Sequence, residues 1–88
     1  MIPGDLIVTL SQVTLYHITL LDGAYSICII KSRAFGVVLD TALVDLRPYS
    51  RVGLEVMFNG QRGFVSAALF TDAQKLIIDA RDINNKFP

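Results

Sequence analysis

Residues 56–70 read VMFNGQRGFVSAALF, and with the preceding RVGLE they carry the cleanest two-residue alternation in the chain. Val52, Leu54, Val56 and Phe58 fall on one face, and Gly53, Glu55 and Met57 on the other. Asn59-Gly60 is the pair that hairpin turns with positive φ select. RGFV then reads as the return strand. Gly63 marks a bulge or a place where another backbone comes close. Together these features predict a tight β-hairpin with one buried face. SAALF, 66–70, is short and rich in small residues, which suits a single helical turn.

Toward the N-terminus, Pro3-Gly4-Asp5 is a turn signal, and LIVTL, 6–10, is β-rich. After the polar break Ser11-Gln12, VTLYHITLL at 13–21 reads as a strand. Asp22-Gly23 is a second hairpin signal. In AYSICIIK, 24–31, strict alternation puts Tyr25, Ile27 and Ile29 on one face and Ser26, Cys28 and Ile30 on the other. SRAF, 32–35, is a connector, and GVVLD, 36–40, a further strand. Pro48 cannot sit in a central strand, so 45–51 reads as a loop, with a helical turn at 41–46 as an option.

Beyond residue 70 the pattern changes. Thr71 or Asp72 can cap a helix whose face carries Ala73, Leu76, Ile77, Ala80 and Ile83. A helix over 72–84 is the preferred reading; a last strand over KLIID, 75–79, stays open as the alternative. The chain therefore divides into a β unit over 1–70 and a C-terminal helical extension over 71–88, packed on the same domain.

Five or six short strands separated by regular turn signals point to a small, mainly β barrel of antiparallel strands with a short C-terminal helix. Over residues 4–70 the chain resembles a bacterial or phage-type SH3-like domain. Gly4-Asp5, VTLY at 13–16, FGVVLD at 35–40 and VMFNGQRGFVSAAL at 56–69 carry the resemblance. In that family a strand ends in Gly-x-x-Gly-aromatic-Val and a short turn ends in an apolar residue. Gly60, Gly63, Phe64, Val65 and Leu69 match those positions. Phe64 stands where the family commonly has Trp. Ser66 stands where the branch that binds proline-rich peptides has Pro. The resemblance implies a non-enzymatic binding module, and the compact style suggests a phage or mobile-element product, cytoplasmic or virion-associated.

Composition narrows the function classes. The apolar fraction is 52 % and the charged fraction 18 %, with eight basic residues balancing eight acidic ones. A neutral, apolar-rich chain of 88 residues has little interior in which to hide its apolar surface. It is therefore expected to work inside an oligomer or larger assembly. No apolar run reaches the ~18 residues of a membrane-spanning helix, and the start has neither the basic region nor the cleavage site of a signal peptide. Cys28, the one cysteine, rules out an intrachain disulfide and reads as a sheet-face residue. His17, the one histidine, has no orienting carboxylate in its surroundings, and no metal, cofactor or phosphate-loop pattern is legible. A non-enzymatic role is expected.

The candidate protein-binding residues are Tyr16, Arg47, Tyr49, Arg51 and Arg62, placed by the resemblance in or near the loops where such barrels hold ligands. Tyr and Arg dominate interface hot spots. The partner would be another protein or further copies of the chain. The alternative is a small nucleic-acid-binding barrel setting Arg33, Arg47, Arg51 and Arg62 against phosphates.

Overall fold

The computed structural model describes residues 2–19, 21, 23–47, 52–71 and 74–83. Seven antiparallel strands form one sheet that curls into a half-barrel. They are β1 (Leu6–Thr9), β2 (Val13–Thr19), β3 (Gly23–Ile30), β4 (Phe35–Asp45), β5 (Val52–Phe58), β6 (Gln61–Ser66) and β7 (Ile77–Asp79). Their spatial order is β3-β2-β6-β5-β4-β1-β7.

The β5–β6 hairpin forms as the sequence predicts. Asn59 and Gly60 both take positive φ, 53° and 78°, as a twist-matched two-residue turn requires. Phe58 then opposes Gln61, Met57 opposes Arg62 and Val56 opposes Gly63. Leu54, Val56 and Phe58 are buried, and Val52 at the strand's start is exposed. A Cβ at Gly63 would lie 2.7 Å from both the Tyr16 carbonyl oxygen and Leu15 Cγ. That glycine lets β2 lie down on β6, where Tyr16 opposes Phe64.

The interior is built from Ile7, Val13, Leu15, Ile30, Val38, Val56, Phe58, Val65 and Ile77. Leu69 and Phe70, on the 3₁₀ turn Ala67–Phe70, pack against it; Ser66 caps that turn by accepting from the Ala68 N–H. Cys28 also packs on this interior, and its thiol donates to Gln61 Oε1 at 2.8 Å.

Three expectations are corrected. Seven strands form rather than five or six. The expected helix over 72–84 is replaced, within the described residues, by β7 and a three-residue 3₁₀ turn, Ala80–Asp82. Residues 72, 73 and 84 lie outside the described set. Ile77 and Ile78, adjacent in sequence, are both buried, one on each side of a strand, so the described residues present no helical stripe. The cause is tertiary. β1 has an open side, and Ile77, Ile78 and Asp79 fill it opposite Thr9, Val8 and Ile7, the β-branched pair suiting a strand buried on both faces. Last, β4 runs on to Asp45 instead of stopping at residue 40. Its ladder with β5 shifts register between Val38 and Asp40 and again between Asp40 and Val44, which breaks the regular pattern without ending the strand.

One buried polar residue ties the ends of the sheet together. Thr9 is fully buried. Its hydroxyl donates to the Lys31 carbonyl at 2.6 Å and accepts from the Ala34 N–H at 2.9 Å. Its own N–H donates to Ala34 O, and its carbonyl accepts from the Arg33 N–H. Thr9→Val keeps the shape and strands two backbone groups. It should cost on the order of 2 kcal/mol, read as a lower urea midpoint at unchanged m, whereas Thr9→Ser should recover most of the loss. Gly63→Ala forces a Cβ against backbone that cannot yield, and should cost about 1–3 kcal/mol by the same measurement.

Candidate protein-binding surface

Alternation gives the sheet a second, outer face. On β1 and β4 it carries Leu6, Val8, Phe35 and Val37; on β5 and β6, Glu55, Met57, Arg62 and Phe64; on β2, Tyr16. The ladder fixes this grouping. Leu6 opposes Val37, Val37 opposes Met57, and Met57 opposes Arg62. Val8 opposes Phe35 on one side and Ile78 on the other, and Phe64 lies between Glu55 and Tyr16.

Part of this face is covered: Val8 and Ile78 are buried, and Tyr16, Val37, Met57 and Phe64 are half-buried. Leu6 and Phe35 are not, at 63 % and 57 % exposed. They stand on neighbouring strands beside Val37 and Met57, so the open apolar surface is a patch and not a scatter of single side chains. Its border is polar, because Arg62 Nε sits 3.6 Å from Glu55 Oε2. That exposed pair adds little to stability.

The expected binding residues are only partly gathered. Tyr16 and Arg62 share the outer face, linked through Phe64. Arg47 follows Asp45 at the far end of β4, while Arg33 precedes Phe35 at the near end. An 11-residue strand separates those two arginines by roughly 30 Å along its length. Tyr49 and Arg51 lie outside the described residues. The apolar pair Leu6 and Phe35 was not a candidate in the sequence, because LIVTL and AFGVVLD are apolar at consecutive positions and period alone does not tell inside from outside.

Arg47 is also held by its own turn. Asp45 accepts from the Arg47 backbone N–H at 2.8 Å, and its carboxylate takes Nε and Nη2 of the same residue. Asp79-Ala80-Arg81 repeats the arrangement after β7: Asp79 accepts from the Arg81 N–H at 2.8 Å and from Nη2 at 2.7 Å. Both are Asp-x-Arg turns closing the end of a strand. A shallow cavity of about 330 Å³ lies beside the first, lined by Leu43, Val44, Asp45, Arg47 and Val52. The start of β3 reaches the same end, with a Cβ on Gly23 falling 4.0 Å from the Arg47 carbonyl oxygen.

His17 stacks edge-on against Tyr25, ring centres 5.5 Å apart, and no catalytic partner adjoins it among the described contacts. Among the described residues no group of three or more His, Cys, Asp or Glu side chains could hold a metal ion, and no helix is long and apolar enough to cross a membrane. No family model, no curated protein and no solved structure matches the chain.

Hydrogen bonds from Arg81 hold the Asp79 carboxyl down at about 2, from an ordinary 3.8. Those from Arg47 lower Asp45 in the same way. A carboxyl depressed in the folded state contributes stability that is complete above its ordinary value and is lost as pH falls through its folded one. Stability should thus decline as pH drops from about 4 toward about 2. Asp79→Asn should flatten that part of the profile in urea titrations, and an unchanged slope would show that Arg81 does not hold the carboxyl down in solution.

Proposed function

We propose that the chain is a non-enzymatic, SH3-like β module that binds protein and serves as a subunit of a larger assembly. The observation that carries this reading is the open apolar patch of Leu6, Phe35, Val37 and Met57 on the outer face. A neutral 88-residue chain that leaves a leucine and a phenylalanine more than half exposed side by side has surface suited to a partner. The SH3-like reading draws support from the run β7-β1-β4-β5-β6, from the 3₁₀ turn joining β6 to β7, and from the β2–β3 hairpin inserted after β1.

The arginines argue for protein over nucleic acid as the partner. Arg47 is neutralised by Asp45, Arg62 faces Glu55, and Arg33 and Arg47 stand at opposite ends of β4. A phosphate-binding surface needs unneutralised cations along one track.

Light scattering at ~0.1 M and ~1 M NaCl, with absorbance at 260 and 280 nm, tests the reading. An apolar interface gives a complex whose mass is unchanged by salt. The double variant Leu6→Ser, Phe35→Ser should lower that mass while the thermal midpoint stays within a few degrees of wild type. A chain that carries nucleic acid and releases it at high salt would overturn the proposal.

A further inference from the structure

We propose that Asn59-Gly60 is a modification site, where the Asn59 side-chain amide converts to aspartate and isoaspartate, and that the β5–β6 hairpin holds the site closed. The inference is independent of the partner-binding reading above. Asn59 is the one asparagine in the chain followed by glycine. Both residues are exposed at the turn. A Cβ on Gly60 would meet nothing within 4 Å, so the space beside its backbone is open to water.

The chemistry needs water alone. The Gly60 nitrogen gives its proton to water and bonds to Asn59 Cγ. The Cγ–Nδ2 bond breaks, and the amide nitrogen takes up a proton and leaves as ammonia. The product is a cyclic imide, which a second water opens. Cleavage of the new N–Cγ bond gives aspartate. Cleavage of the bond from that nitrogen to the residue 59 main-chain carbon gives isoaspartate, whose main chain runs through Cγ. Glycine obstructs the attack least, because it has no Cβ.

The folded turn forbids ring closure. Closure needs the Gly60 nitrogen eclipsed with Asn59 Cβ about the Cα–C bond. Asn59 has φ 53° and Gly60 φ 78°. A residue leading such a left-handed turn has ψ of about 30–50°. With an L-configured Cα, Cβ then lies nearly opposite the following nitrogen, and Cγ is out of its reach. Attack needs the Asn59 ψ to swing far outside the turn conformation. The turn cannot do this alone. Phe58, just before it, is fully buried and opposes Gln61, just after it. Both strands are interior to the sheet, with β4 beyond β5 and β2 beyond β6. The reaction therefore waits for the hairpin to open, and its product is a chemical record of that opening. Isoaspartate also adds a main-chain carbon, so Phe58 and Gln61 no longer meet across a two-residue turn.

The test incubates the full chain in mild base, in native buffer and in ~8 M urea. Peptide mapping by mass spectrometry follows residue 59, and ion exchange follows the added negative charge. The rate should be at least ~10-fold lower in native buffer, because only opened molecules react. Gly63→Ala, which loosens the same hairpin, should speed the native reaction ~5-fold or more and leave the urea rate unchanged. Gly60→Ala, measured in urea where its folding does not matter, should slow the reaction ~10-fold. An amide at residue 59 that survives in urea would overturn the site. A native rate equal to the urea rate would overturn the closure by the hairpin. So would a Gly63→Ala chain with a lowered urea midpoint and an unchanged native rate.

Discussion

The four-residue link between β3 and β4 constrains everything else. Three strands lie between them in the sheet order. In a flat sheet, four inter-strand spacings would set them about 19 Å apart. A fully extended link of that length reaches about 18 Å, and this one turns, with Arg33 at φ 61°. The sheet must therefore curl. Thr9 holds the link through four hydrogen bonds from a single residue. A threonine at the end of an otherwise apolar β1 is thus neither a packing defect nor a chance polar residue. It satisfies the backbone of a segment that would otherwise carry unpaired groups into the interior.

Curling sorts the side chains. The concave side gathers the large aliphatic residues around Phe58, whose ring lies where a Cβ on Gly36 would be. Among the described residues the convex side is covered over Val8 and Ile78 and left partly open elsewhere. Strand alternation still places apolar residues there on β1 and β4, and Leu6 and Phe35 stay more than half exposed.

How much of this was legible depends on whether a residue's surroundings are local. The β5–β6 hairpin could be read directly, since Asn59-Gly60 dictates the turn and the turn dictates the register. The Ala67–Phe70 turn followed from its small residues. Tyr16 and Arg62 could be named as surface candidates, but that they share one face with Phe64 depends on β2 folding across Gly63. In β3, strict alternation put Tyr25, Ile27 and Ile29 together; the bulge divides them, and nothing in GAYSICII announces an extra residue. The C-terminal segment misled because its helical spacing and its strand composition are both real. β1, about seventy residues earlier in the chain, decided between them by offering a free side.

That same pairing sets an order of events during synthesis. The ladder of β1 with β7 joins Ile7 to Asp79, so one edge of β1 has no partner until residues 77–79 have been made. Everything between can collapse onto its own hairpins first, since β2–β3, β4–β5 and β5–β6 are sequence neighbours. A nascent chain stopped short of residue 77 would hold a curled sheet with an open apolar strand at each end. Such a species is prone to pair with its neighbours on a polysome. Docking of β7 is then the step that turns a two-edged, aggregation-exposed intermediate into a sheet with a single long edge.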